Sequence, residues 1–344
     1  MSDQHTFGFE STTDDVLEGV DLTGIRAVVT GSSGGLGLET ARALAAHGAD
    51  VVLAARDAGK LAAAKATVDQ EGAVGSVETL VLDLASLDAV RAAAAELTAR
   101  HSAINLLINN AGVMACPFSR TADGFEMQFG TNHLGHFLFT NLLLDALAAG
   151  AAESGRPSRV VELSSAGHRT SDILWDDPNF EHTDYFNFTA YGQSKTANAL
   201  FAVELDLRCR DEGVRAFSVH PGVIMTDLSR HLTADDLQWM ADRASRESGE
   251  GAPGESSGGG ESRESAGKAV MEAFRFKSTA QGAATSVWAA TAPGLEDHGG
   301  AYLEDCHVAD PVDDPRATGG VQPWARDPDA AARLWEMSEQ MVGL

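Results

Sequence analysis

Tyr191 and Lys195 stand four residues apart in Tyr191-Gly192-Gln193-Ser194-Lys195. That spacing places a phenol and an amine on one face of a helix. A free phenol, with a pKa of about 10, is a poor base at neutral pH. An adjacent ammonium favours the phenolate, so the pair could exchange a proton with an alcohol or carbonyl oxygen. The spacing is common by chance, and its weight depends on the motifs around it.

A second motif would bring a cofactor to that pair. The run Thr30-Gly31-Ser32-Ser33-Gly34-Gly35-Leu36-Gly37 follows a short apolar strand and opens an Ala/Leu-rich helical stretch. Glycines there let the backbone turn tightly against a pyrophosphate, and a helix N-terminus offers N–H groups and the positive end of its dipole. Strand before and helix after, within the first βαβ unit, point to a dinucleotide. The next strand ends Ala54-Ala55-Arg56-Asp57. An acid at the strand end selects NAD through the ribose 2′-OH, whereas an Arg accommodates the 2′-phosphate of NADP. Ala55 fills the acid slot and Arg56 follows, which favours NADP(H) and leaves NAD(H) as the second choice. The competing reading has Arg56 pair with Asp57, which would itself face the ribose.

These groups need a frame. Apolar runs at Ala27–Thr30, Val51–Ala55, Val77–Leu82, Ile104–Ile108, Val160–Leu163 and Ala216–Val219 read as strands. Helical stretches lie between them, the clearest over Leu38–His47, Ala58–Glu71, Gln281–Thr291 and Pro328–Met341. The alternation predicts βαβ units and one α/β domain built on a doubly wound parallel sheet. Residues 1–23 read as a polar extension, 24–310 as the domain and 311–344 as a tail with a short helix. Residues 243–267, rich in Gly, Ser and charge, read as a flexible insertion, either inert or a lid over substrate.

Composition limits the partners. The 344 residues include 25 Lys and Arg against 50 Asp and Glu, a net charge of −25. Such a surface repels phosphate and anionic lipid, so nucleic acid and membrane are not expected partners. Five of the basic residues are Lys. The balance fits either a salt-adapted surface or a GC-rich genome that favours Ala, Gly, Asp and Arg. Cys116, Cys209 and Cys306 lie far apart without metal-ligand spacing, so free thiols and no metal are expected. The polar, acidic N-terminus has no apolar signal region, and no run is long enough to span a bilayer, which predicts a cytoplasmic protein.

Taken together the motifs resemble the short-chain dehydrogenase/reductase family. The resemblance rests on TGSSGGLG at 30–37, Asn109-Asn110-Ala111-Gly112, Asn132 in TNHLGHF, Ser164-Ser165, Tyr191 with Lys195, and His220-Pro221-Gly222, in the family's order over residues 24–228. NNAGVM, NHLGHF, the 26-residue step from Ser165 to Tyr191 and GGAYLEDC at 299–306 look like the retinol-dehydrogenase-like branch. The resemblance implies a Rossmann fold. It also implies Tyr191 as general acid/base, Lys195 as the group that lowers its pKa and holds the nicotinamide ribose, and Ser165 (rather than Ser164) on the substrate oxygen. Asn132 would hold a water in a proton relay to Lys195.

For the cofactor, the resemblance implies Gly31, Ser33, Gly35, Leu36 and Gly37 at the pyrophosphate and Arg56 at the ribose. Asp83 and Leu84 would lie at the adenine, Asn109, Ala111 and Gly112 on the adenosine side, and Pro221, Gly222, Ile224 and Thr226 toward the nicotinamide. His168 and His220 are expected to pack locally. The stretch Thr170–Phe188 carries Trp175, Phe180, Tyr185, Phe186 and Phe188, read either as a wall for a bulky apolar substrate or as a satellite core. The implied reaction interconverts an alcohol and a carbonyl. C=C reduction of the protochlorophyllide-reductase type and cofactor sensing without turnover are the alternatives, and a homodimer is the expected assembly.

Overall fold

The computed structural model describes residues 7–247, 263–314 and 317–344. Its first half runs α1 (Thr13–Leu17), β1 (Arg26–Thr30), α2 (Gly35–Ala46), β2 (Asp50–Ala55), α3 (Ala58–Gln70), β3 (Val77–Val81), α4 (Leu87–Arg100), β4 (Leu106–Asn109), α5 (Met127–Phe129), a π turn (Gly130–Leu134), α6 (Gly135–Leu142) and α7 (Leu144–Ser154). The second half runs β5 (Ser158–Leu163), α8 (Asn187–Cys209), β6 (Val214–His220), α9 (Ala234–Glu247), α10 (Arg263–Ala273), α11 (Thr279–Thr291), β7 (Tyr302–Glu304), β8 (His307–Val308) and α12 (Pro328–Val342).

The strands form one sheet in the order β3-β2-β1-β4-β5-β6-β7-β8, parallel except for the β7–β8 pair. Register runs straight through the middle: Val28 opposes Val52 and Leu107, Leu107 opposes Val160, and Val160 opposes Ala216. Parallel strands covered on both faces bury both sets of side chains. On one face Phe137, Phe201, Leu205 and Trp335 form a core with Val28, Leu107 and Val160; on the other, Leu44, Ala284 and Val287 meet Leu53, Val161 and Phe217. Strand order reverses between β1 and β4, which opens a crevice at the carboxyl ends of the strands.

Four expectations change. Residues 7–23 are not merely a polar lead-in. Thr12 and Asp15 form a capping box on α1, and Val16, Leu17 and Leu22 are buried. The strand predicted from Ile104 starts at Leu106, because Asn105 uses its side chain to accept from Arg26 N and its own N–H to reach Arg26 O. At the edges of the predicted insertion, α9 continues to Glu247 and α10 begins at Arg263, while 248–262 lie outside the described residues. The tail is part of the core, since Trp335 of α12 meets Phe137 edge-on with centroids 5.0 Å apart. The β7–β8 hairpin turns on Asp305 and Cys306, both at positive φ, without the usual Asn-Gly signal.

Cys116, Cys209 and Cys306 are free and buried. Among the described residues no single helix is long and apolar enough to cross a membrane.

Candidate active site

The first part of the site is the turn after β1. Gly31 (φ +67°) and Gly35 (φ +56°) occupy the left-handed region, which suits glycine. A Cβ on Gly31 would sit 2.8 Å from Ala111 Cα. Gly34 is the N-cap of α2 and supplies no side-chain cap, so the first N–H groups of the helix have no side chain competing for them. Gly31, Ser33, Gly34, Gly35 and Leu36 line a cavity of about 980 Å³. Gly37 does not line it. A Cβ there would stand 2.4 Å from Asn110 Nδ2 and 2.6 Å from Gly31 O, so this glycine lets α2 lie close to the turn.

At the end of β2, Arg56, Asp57 and Lys60 border the same cavity. Asp57 Oδ1 accepts from Lys60 N at 2.9 Å as the N-cap of α3. That hydrogen bond, with the nearby Lys60 and Arg56 charges, holds its carboxyl below the usual range. Asp83, Leu84, Ala111 and Gly112 also line the cavity. Asn109, expected beside the adenosine, does not. It is fully buried and donates to Thr140 Oγ1 at 2.8 Å and to Glu162 Oε1. Strand alternation turns Asn109 into the core, and Asn110, bonded to Thr30 O at 2.8 Å, borders the cavity in its place.

Ser165, Tyr191 and Lys195 meet at the centre. Ser165 ends the loop after β5 and caps a 3-10 turn, Ala166–Thr170, accepting from Gly167 N at 3.1 Å. Two glycines bring that turn against α8. A Cβ on Gly167 would lie 2.7 Å from the Tyr191 ring, and one on Gly192 would lie 2.0 Å from Thr170 Oγ1. Burial pushes Tyr191 up to about 12, opposed by Ser165. Lys195 Nζ donates to Leu163 O at 2.7 Å and lies 5.7 Å from the Tyr191 ring centre. Burial outweighs any lowering of Tyr191 by Lys195, whose ammonium donates to the strand carbonyl. Burial also pushes Lys195 down to about 8, opposed by Glu162. Ser164 Oγ is committed to Lys195 O at 2.7 Å.

Asn132 lies within the π turn, behind the cavity wall. Its Oδ1 accepts from Val113 N at 2.8 Å, and its Nδ2 donates to Val113 O and Ser194 Oγ, each at 2.9 Å. Its main-chain oxygen meets His136 Nδ1 at 2.9 Å. The side chain thus clamps the segment after β4. His168 and His220 hold the serine loop: His168 Nε2 accepts from Gln322 N at 3.2 Å, and His220 Nδ1 accepts from Ala166 N at 3.2 Å. Burial pushes both down to about 3. Pro221, Gly222, Ile224 and Thr226 line the cavity opposite the glycine turn.

Beyond Tyr191 the wall is mostly apolar, built from Met114, Met127, Phe188, Leu237, Trp239, Met240, Val270 and Phe274, with Arg243 over the Trp239 ring also lining the cavity. Phe188 and Trp239 stack with centroids 4.3 Å apart at 13°. Of the five aromatics expected to form a wall, Phe188 alone lines the cavity. Phe180 packs edge-on against Tyr185, whose hydroxyl donates to Cys116 O at 2.9 Å. Trp175 carries Arg333 over its ring, and Phe186 packs on Trp239. The α9–α10 wall was not foreseen because only packing brings Leu237, Trp239 and Met240 together with Val270 and Phe274 from the other side of the polar stretch 243–267. It also missed Glu162, whose only signal is a carboxylate inside an apolar parallel strand.

Fold and site define a doubly wound α/β protein with Ser165, Tyr191 and Lys195 at the carboxyl ends of its parallel strands. The family model described as short chain dehydrogenase matches residues 26–237. Short-chain dehydrogenase/reductase prx1 of Penicillium rubens is 40% identical over 319 residues, 92% of this chain and 84% of that protein. Human retinol dehydrogenase 11 is 38% identical over 330 residues, 94% of this chain and 88% of its own. A crystal structure of an uncharacterized protein from Mycobacterium paratuberculosis superposes with TM-score 0.66 at 32% identity, covering 97% of this chain and 98% of the other. The chain belongs to the short-chain dehydrogenase family of oxidoreductases, which use NAD(P)(H), and within it is retinol-dehydrogenase-like.

Proposed function

We propose that the protein is an NADP(H)-dependent oxidoreductase that interconverts an alcohol and a carbonyl on a bulky apolar substrate. One observation carries the reading. A single cavity joins the glycine turn, the Ser165–Tyr191 pair and the apolar wall of Phe188 and Trp239. Its volume, about 980 Å³, is at the top of the range for ligand pockets.

The residues fit a dinucleotide. The uncapped start of α2 and the glycines before it would hold the pyrophosphate. Arg56 and Lys60 border the cavity, while the Asp57 carboxylate is occupied in capping α3. Two cations, with one oxygen of the acid engaged in the helix cap, favour a 2′-phosphate over a bare ribose.

When bound, the nicotinamide supplies or accepts the hydride. Ser165 Oγ donates a hydrogen bond to the substrate oxygen and fixes its position. In reduction Tyr191 O–H gives its proton to that oxygen; in oxidation the phenolate takes it back. A phenol raised to about 12 by burial holds its proton at neutral pH, which suits the acid role. An ammonium at Lys195 supports the phenolate left behind. The largely apolar wall favours a hydrocarbon-rich substrate.

The test follows absorbance at 340 nm, with NADPH or NADH against aldehydes, ketones and activated alkenes, and NADP⁺ or NAD⁺ against alcohols. Turnover of a large apolar carbonyl or alcohol with NADP(H) preference is expected. Coenzyme binding without turnover across the panel would overturn the enzymatic reading. Tyr191→Phe should lose about 10²–10⁴-fold in kcat, as expected for removal of a general acid, while NADPH binding is retained. A near-native rate would refute the mechanism.

A further inference from the structure

Glu162 is the next-to-last residue of β5 and is completely buried. Alternation along the strand turns Val160, Glu162 and Ser164 to one face and Val161 and Leu163 to the other. Ser164 reports which face that is, because its hydroxyl bonds the main-chain oxygen of Lys195. Asn109, its register partner on β4, donates to Glu162 Oε1. Glu162 Oε2 and Asn109 Oδ1 find no hydrogen-bond partner among the described residues. A carboxylate satisfied on one oxygen only is costly to bury unless a cation compensates it.

Lys195 is that cation. It is also buried, and its ammonium donates to Leu163 O, the residue next to Glu162 on the same strand. The two groups act through space rather than by contact. Burial pushes Glu162 up to about 8 and Lys195 down to about 8, and each opposes the shift of the other. The other titratable groups named around the pair keep one charge state near neutral pH. On α8, Tyr191 is raised to about 12. His136 on α6 is lowered to about 4, His133 in the π turn to about 3 and His220 at the end of β6 to about 3. Asn109 on β4 and Ser218, which pairs with Glu162 from β6, carry no charge.

We propose that Glu162 is a positioning residue of the proton relay: a buried carboxyl behind Lys195 that, once ionised, keeps its amine protonated. The carboxyl gives up its proton as pH rises toward 8, and the charge it then carries favours the ammonium, so the Lys195 proton beside Tyr191 is held to higher pH. Without it the buried amine sheds its proton more easily, and the phenolate formed in reduction loses its support. The effect on turnover rests on the alcohol–carbonyl reading above; the effect on Lys195 does not.

The test is a ¹³C NMR titration of protein labelled at lysine Cε, which needs neither substrate nor coenzyme. The chain has five lysines, and Lys195→Met identifies the resonance. In Glu162→Gln, which keeps the shape and an oxygen for Asn109, the Lys195 midpoint should fall by about one pH unit or more, a tenfold change in its protonation equilibrium. An unmoved midpoint would overturn the proposal. The wild type decides by itself if the variant fails to fold. A coupled pair gives the Lys195 resonance a two-step titration, and a single step removes the coupling. With an active substrate, the basic limb of the kcat profile should move with the NMR midpoint. Absence of turnover on every carbonyl would leave the titration result standing.

Discussion

At the scale of single residues, the site depends on which oxygen or nitrogen is already occupied. Asp57 is spent on a helix cap, and Arg56 is not so committed, which underlies the coenzyme preference proposed here. Arg56→Ala should raise the KM for NADPH about 10- to 100-fold, the loss expected for one charge-assisted hydrogen bond, and leave the KM for NADH nearly unchanged. Equal effects on both coenzymes would contradict the assignment. Four buried histidines set a pH dependence. His133, His168 and His220 are lowered to about 3 and His136 to about 4, all by burial. The unfolded chain takes up protons on them below about 6.5, and the folded chain does not until near 3–4. Their stabilising contribution is therefore present above about pH 6.5 and is lost as pH falls from there toward 4. Melting in 1 M KCl, where surface charge is screened, should show Tm falling across that window, and His133→Gln should flatten the fall. A Tm flat from pH 6.5 to 4.5 would show that these histidines are not held neutral.

At the scale of elements, contact without bulk places the chemistry. Gly167 and Gly192 let the serine turn lie on α8, and Gly37 lets α2 lie on the turn that would hold the coenzyme. The C-terminal helix steadies α8 from behind, with Trp335 against Phe137 and Phe201 and Arg208 over its ring. Trp335→Ala should cost about 3–5 kcal/mol, the usual range for removing a large buried aromatic. Urea denaturation would measure it. A loss below about 1 kcal/mol, the size of a surface substitution, would mean that α12 is peripheral after all.

At the scale of the molecule, the net charge of −25 works against the folded state through self-repulsion. The Debye length falls from about 10 Å at 0.1 M salt to about 3 Å at 1 M. Tm at pH 7 should accordingly rise with KCl over that range. A Tm independent of KCl would mean that repulsion is already offset by local ion pairs such as Arg42 with Asp14 and Glu39.

Much of this was legible along the chain. The alternation of apolar strands and helices, the glycine turn at 30–37, and the phenol and amine one helical turn apart are local patterns. Backbone geometry and periodicity determine them wherever they occur. Tertiary structure decided which side chains face the cavity. It turned Asn109 inward and put Asn110 at the wall, left Phe188 alone of five aromatics on the substrate side, and drew in Trp239 and Val270 from either side of the polar stretch 243–267. It also set Glu162 behind Lys195, 33 positions away in the chain. Orientation and burial depend on what packs from the other elements, and no local pattern carries that information. The sequence by itself determined the elements and the reactive groups they carry; their electrostatic environment exists only once the sheet, α8 and the C-terminal helix close around them.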